Sequence, residues 1–256
     1  MQLRFTRTNG EMDTLIDELL EKAGGVHHPA LARELILSAL KAGQDTDYLA
    51  DLKLLSNTMK EMRYTTKVFA PYRDKTKVTI FGSARTSHDD PMYIKCVNFS
   101  RILADKGYMI ITGGGGGIMQ AGNEGAGSEA SFAANIRLPF EQSSNAVMLK
   151  NPRLISYKYF FTRKVAFVKE ADAIAVFPGG FGTLDEAMEV ITLIQTGKMR
   201  RIPILLFGRE FWNRVINFEE LAAEGVVSAE DLALITWVET AKDAWAEITR
   251  FYDLDC

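Results

Sequence analysis

The sequence predicts an α/β fold, a doubly wound and mostly parallel sheet of Rossmann-like type, with an N-terminal helical extension. Three observations predict it. From Lys77 onward, short apolar runs alternate with helical stretches. The runs are β-branched and almost unbroken, which fits strands covered on both faces. Three of the run ends carry unusual turns rich in small residues, at the sheet edge where such folds bind ligands.

Residues 1–75 read as helices alone, the extension. Leu15, Ile16, Leu19 and Leu20 mark a short amphipathic helix stopped by Gly24-Gly25. A second begins near Pro29, carries Leu31, Leu35, Ile36 and Leu40 on one stripe, and ends at Gly43. A third runs from Asp47 to Arg63, with Leu49, Leu52, Leu55 and Met59 as its apolar side. No catalytic constellation stands among them, and a helical cap or oligomer arm is expected. His27-His28 falls in the break between two helices and reads as a loop pair.

Residues 76–256 form the expected Rossmann-like domain. KVTIF (77–81), YMIIT (108–112), SFAANI (131–136), AIAVF (173–177) and IPILLF (202–207) are the expected parallel strands, wound by right-handed crossovers. Further helices are expected over Phe211–Ala223 and Ala241–Phe251. The stretch from Pro139 to Arg153 has little periodicity and reads as a loop near the site.

Composition narrows the function classes. The net charge of -3 argues against a nucleic-acid polymer as partner, which needs a basic face. The two cysteines, Cys96 and Cys256, form neither a CxxC pair nor a disulfide framework, as suits a reducing compartment. Three histidines, His27, His28 and His88, make a zinc site or a His-based triad improbable. No metal or cofactor is expected. No stretch is apolar enough for a membrane span or a signal peptide, so the cytoplasm is the expected location and no membrane partner is expected.

The run ends carry the chemistry. They are Gly82-Ser83-Ala84-Arg85, the five glycines 113–117, and Pro178-Gly179-Gly180-Phe181-Gly182-Thr183. Glycine lets backbone N–H groups approach a ligand with no Cβ in the way, and a helix opening just afterwards suits phosphate. Tight turning would explain one glycine; two such loops on one sheet edge favour anion binding. No GxxxxGK[ST] occurs, which excludes a P-loop. The one GxGxx[GA] match, Gly125 to Ala130, precedes a strand and counts against NAD. Gly82, Ser83, Gly114, Gly115, Gly179, Gly180, Phe181, Gly182 and Thr183 are the candidate ligand contacts from these loops.

Glu186 has two readings on spacing alone. Thr183-Leu184-Asp185-Glu186 fits a capping box, with Thr183 as N-cap and Glu186 at the third helical position. A carboxylate one turn beyond a phosphate loop could equally orient water or stabilise positive charge. Arg163-Lys164 stand among Tyr157, Tyr159, Phe160, Phe161 and Phe167, expected as one aromatic-rich helix. Adjacent helical residues diverge by about 100°, so only one can point directly at a given atom; an ordinary solvated basic pair is the plainer reading.

PGGFGTLDE (178–186) resembles the PGGxGTxxE signature of the LOG family, the cytokinin riboside 5'-monophosphate phosphoribohydrolases, whose homologues often carry an older lysine decarboxylase-like label. The resemblance extends to Arg163-Lys164, the GSAR turn at 82–85, the glycine turn before Ile118-Met119 and LPFEQ at 138–142. It covers about residues 76–240, and the N-terminal helices resemble those of longer bacterial members. It implies hydrolysis of AMP or an N6-modified AMP to free base and ribose 5-phosphate, with a nucleoside monophosphate as ligand. It implies Glu186 and Arg163 as catalytic residues, and Lys164, the PGGFGT backbone and Thr183 as phosphate and ribose contacts. It also implies a homodimer or higher homo-oligomer, through helices such as 157–167 and Ala187–Ile194. Where short members carry a further substrate-contacting Glu, spacing points to Asn145, with Glu141 and Gln142 nearby. No Schiff-base lysine site for pyridoxal phosphate is evident. A non-catalytic carrier, like the molybdenum-cofactor carriers that resemble this family, would use the same pocket without hydrolysis, and a nucleotide-sensing regulator would act through the N-terminal helices.

Overall fold

The computed structural model describes residues 9–136 and 144–253. LPFEQ, with Glu141 and Gln142, and Cys256 therefore lie outside the described residues. The chain divides into two compact units, residues 1–60 and 61–256.

The first unit is helical. It holds α1 (Glu11–Ala23), α2 (Pro29–Asp45) and most of α3 (Leu49–Phe69). Gly24, at φ 63°, ends α1, and Pro29 opens α2 at a position whose missing N–H costs nothing. Arg33 of α2 pairs with Asp13 of α1 at 3.6 Å and also with Asp17. Ile16 and Leu37 are buried, whereas Leu15, Leu19, Leu31 and Leu35 are exposed. The third helix runs six residues beyond the expected Arg63, its last residues belonging to the second unit.

The second unit is one seven-stranded parallel sheet. Its strands are β1 (Lys77–Phe81), β2 (Met109–Thr112), β3 (Ser131–Ile136), β4 (Leu154–Tyr157), β5 (Ala173–Val176), β6 (Ile204–Phe207) and β7 (Ile235–Val238). They lie in the order β4-β3-β2-β1-β5-β6-β7. Every pairing is parallel, with Val78 opposite Ile110 on one side and Ala173 on the other. The connecting helices are α4 (Pro91–Asp105), α5 (Ile118–Ala126), α6 (Phe160–Lys169), α7 (Phe181–Gln195), α8 (Arg209–Val215), α9 (Phe218–Ala223) and α10 (Ala241–Asp253).

Alternation along each strand divides the core between two faces. Val78, Ile80, Ile110, Ala173, Ala175, Leu205 and Phe207 pack beneath α4, α5 and α10. Phe81, Ile111, Phe132, Ile174, Val176 and Leu206 pack on the other side with α6, α7 and Trp212 of α8. Phe69, near the end of α3, stacks on Phe132 with ring centroids 4.2 Å apart.

Two strands were not expected. β4 is short, and only alternate residues of it are buried, while β7 is a half-buried edge; both lack the unbroken apolar signature. Tyr157 belongs to β4 and not to the aromatic helix. It is buried, and its hydroxyl shares a 2.6 Å hydrogen bond with Thr65 on α3. The helix expected over 211–223 is two helices, because Asn217 leaves the helical conformation and caps α9 by accepting from the Glu220 N–H at 3.1 Å.

Phe132 is fully buried and also meets the Tyr72 ring edge-on at 5.2 Å. Phe132→Ala is expected to cost about 3–5 kcal/mol of unfolding free energy, the usual range for deleting a buried ring. Denaturant titration checks this, and a loss below about 1 kcal/mol would remove Phe132 from the core that seats the sheet.

Candidate active site

The strand order reverses between β1 and β5, which are neighbours. Two parallel strands whose connections leave in opposite directions open a crevice beyond their carboxyl ends. Here the crevice is a cavity of about 790 Å³, within the range of small-molecule sites, about 300–1,000 Å³.

Hydrogen bonds lace its floor together. The Ser83 N–H donates to the Pro178 carbonyl at 3.1 Å, tying the turn after β1 to the turn after β5. The Ile118 N–H donates to the Ser83 carbonyl at 3.0 Å, which brings in the five-glycine turn. Gly117 makes that approach possible. At φ 58° it adopts a conformation L-residues rarely take, and a Cβ there would fall 2.2 Å from the Ser83 carbonyl oxygen. Gly179 is required for a second close approach, since its Cβ would lie 2.1 Å from Thr183 Oγ1.

Most residues singled out in the sequence meet at this cavity. Gly82, Ser83, Gly115, Arg163, Gly179, Gly180, Phe181, Gly182, Thr183 and Glu186 all line it. Gly114 and Lys164 are not among the lining residues. The Gly114 carbonyl instead accepts from the Asn145 N–H at 2.8 Å.

The capping box does not form. The N-cap of α7 is Gly180 and no side chain caps it. Gly180 is extended, and its carbonyl already accepts the Leu184 N–H at 3.0 Å, so the helix begins three residues earlier than a Thr183 cap would start it. Glu186 therefore stands in the second turn, free of any capping duty.

There it meets Arg163. Arg163 Nη2 donates to Glu186 Oε1 at 2.9 Å, with the two side chains only 12% and 13% exposed. The guanidinium also lies 5.0 Å from the Phe160 ring centroid and 5.4 Å from that of Phe167. Burial raises the Glu186 carboxyl, Arg163 opposes it, and the balance leaves its pKa pushed up to about 7. Nearby Asp185 and Glu189 add to the rise, and Lys164 resists it.

Lys164 takes the other direction, as the helical angle requires. Its ammonium bonds Asp185 at 2.7 Å and Glu189 at 3.1 Å on α7. Burial alone would lower its pKa, but those two carboxylates hold it above the ordinary value. Neither member of the basic pair is solvated in the way the plainer reading expected.

Glu61 of α3 sets the start of α6. Its carboxylate accepts the Lys158 N–H at 2.7 Å and the Thr162 hydroxyl at 2.5 Å. Asn145 is equally occupied: Nδ2 donates to the Gly115 carbonyl and to Asn123 Oδ1, both at 3.0 Å, and Oδ1 accepts the Met148 N–H at 3.2 Å. Its amide supports the glycine turn. Asn135, Phe160, Phe167 and Phe211 also line the cavity and were not singled out as contacts. Asn135 left a signal, as a polar residue near the end of an apolar strand. Among the described residues no cluster of acidic, histidine or cysteine side chains is placed to hold a metal ion, and no helix is long and apolar enough to cross a membrane.

The family model described as possible lysine decarboxylase matches residues 112–248. A probable cytokinin riboside 5'-monophosphate phosphoribohydrolase of Oryza sativa subsp. japonica is 26% identical over 182 residues, covering 68% of this chain and 72% of that protein. A cytokinin riboside 5'-monophosphate phosphoribohydrolase of Arabidopsis thaliana is 33% identical over 90 residues, covering 35% of this chain and 42% of that protein. Among solved structures, the molybdenum cofactor binding protein from the phototrophic bacterium Rippkaea orientalis superposes with a TM-score of 0.50 at 16% identity, covering 70% of this chain and 98% of that one. That likeness is one of fold alone.

Gly117→Ala is expected to cost about 1–3 kcal/mol, from strain at a left-handed position together with the clash at Ser83. Unchanged thermal or denaturant stability would show that the glycine turn is not held by this contact.

Proposed function

This chain belongs to the LOG family, whose family model is described as possible lysine decarboxylase, and from that premise we propose that it is a nucleoside 5'-monophosphate phosphoribohydrolase. The bond cleaved is the N-glycosidic bond of AMP or an N6-modified AMP, giving free base and ribose 5-phosphate. The observation that carries the reading is Glu186, a carboxylate almost withdrawn from water, paired with Arg163 and set just beyond a glycine loop on a nucleotide-sized cavity.

The chemistry follows from that placement. When the C1'–N9 bond breaks, its electron pair leaves with the base and positive charge develops on the ribosyl ring. An ionised carboxylate nearby stabilises that charge, as in glycosidases. Water adds to C1' and loses a proton to Glu186, and that proton passes on to the departing base, which is released neutral with Glu186 ionised again. A group of pKa about 7 is matched to accepting and returning a proton near neutrality. Arg163 keeps Glu186 partly ionised despite burial. Backbone N–H groups at the start of α7 and the 179–183 loop receive the 5'-phosphate, and Gly82, Ser83 and Gly115 complete the cradle.

The lysine decarboxylase description finds no support in the site. No lysine lines the cavity among the described residues. Lys164 is held above its ordinary pKa by two carboxylates, the opposite of the lowered, desolvated lysine that a Schiff base requires.

Incubation with AMP and isopentenyl-AMP is expected to release free base, detected by chromatography. Glu186→Gln, close in shape, is expected to fold and to turn over at least ~100-fold more slowly. Near-normal turnover in that variant would remove Glu186 as a catalyst. Wild type that binds AMP without releasing base would assign the pocket to a carrier.

The raised pKa also predicts a pH profile. The ionised form is the active one, so kcat/KM should rise with pH through about 7 and level off above it. Below the limb it should fall roughly tenfold per pH unit. Arg163→Met removes the opposing cation and should move the limb upward, whereas the substrate phosphate, with a second pKa of about 6, would not move. A limb that stays in place would dissociate it from Glu186.

A further inference from the structure

Among the described residues, the charged side chains on the cavity lining are Arg85, Arg163 and Glu186. Arg163 and Glu186 are paired with each other across 2.9 Å. Lys164 is committed to Asp185 and Glu189 and lies off the lining. Among the described residues, Arg85 is therefore the lining cation that stands apart from the Arg163–Glu186 pair. Among the described residues no carboxylate pairs with its guanidinium.

The backbone beneath it is fixed. The Arg85 N–H donates to Ser83 Oγ at 3.1 Å, and the Ser83 N–H donates to the Pro178 carbonyl at 3.1 Å. Arg85 thus rises from a turn tied directly to the loop that opens α7. Its side chain is exposed, so its long stem can reach into the cavity mouth. A guanidinium offers a planar fork of donors that matches two phosphate oxygens at once.

We infer that Arg85 is a specificity-determining residue of this site, which contacts the 5'-phosphate of the ligand and selects nucleotides over nucleosides. The inference rests on the nucleotide reading above. Without Arg85 the phosphate would meet backbone N–H groups and an Arg163 already engaged with Glu186. With it, the site gains a cation that no carboxylate among the described residues already uses.

The test is isothermal titration of AMP and of adenosine into wild type, Arg85→Met and Arg85→Lys. In Arg85→Met the AMP affinity should fall roughly tenfold or more, as expected for a lost charge-assisted hydrogen bond, while adenosine binding stays unchanged. Arg85→Lys keeps the charge and loses the fork, so it should fall between the two. Added salt should weaken AMP binding more in wild type than in Arg85→Met. Unchanged AMP affinity in Arg85→Met overturns the inference. So does an equal loss for AMP and adenosine, which would mean that Arg85 only holds the turn, and so does a wild type that binds the two alike. Base release is read separately. Wild type that binds AMP through Arg85 yet releases no adenine ends the hydrolase reading and leaves the Arg85 assignment standing. Release of adenine by both wild type and Arg85→Met at equal kcat/KM ends the Arg85 assignment alone.

Discussion

A carboxylate and a guanidinium 2.9 Å apart, both nearly out of water, set the terms for the structure around them. Burying one charge alone is expensive, and burying two is tolerable only when their geometry is held. The surrounding parts hold it. Glu61 fixes the start of α6, Phe160 and Phe167 flank the guanidinium, and Ala187 and Val190 seat α7 in the core. Desolvation and the cation pull the Glu186 proton in opposite directions. A pKa of about 7 is the compromise.

The glycine turns serve the same end by a different means. Three turns must converge on one crevice, and each brings a backbone close to another. Gly117 against the Ser83 carbonyl and Gly179 against Thr183 are contacts that a methyl group would block. With no Cβ in the way, the turn after β1, the glycine turn before α5 and the turn before α7 share one hydrogen-bonded floor. The charge on that floor is then set by which side chains are already satisfied. Lys164 is spent on α7, whereas no carboxylate among the described residues pairs with Arg85.

Much of this was legible in the sequence because burial on both faces writes itself as unbroken hydrophobicity. KVTIF and SFAANI match β1 and β3 residue for residue, and the glycine-rich ends marked the crevice. The edges were not legible. Leu154–Tyr157 buries alternate residues and Ile235–Val238 is half exposed, so neither carries the central-strand signature. Local pattern also misled at Thr183, where a sound capping motif lost to a helix that starts earlier, from Gly180. The separate commitments of Arg163 and Lys164 follow from the angle between adjacent helical residues, but which of them meets Glu186 depends on how α6 lies against α7. That is a tertiary fact, and spacing alone held both readings of Glu186 open.

The hydrolytic reading of the site depends on how strongly Glu186 holds its proton. The direct measurement is the titration of that one carboxyl, by carbon-13 NMR of glutamate-labelled protein or by difference infrared spectroscopy, with Glu186→Gln identifying the signal. A midpoint near 7 is expected, because burial outweighs the pull of Arg163. A midpoint near the ordinary 4.5 would mean that the carboxylate is solvated or fully stabilised by its partner, and it would contradict a group poised to exchange a proton at neutral pH.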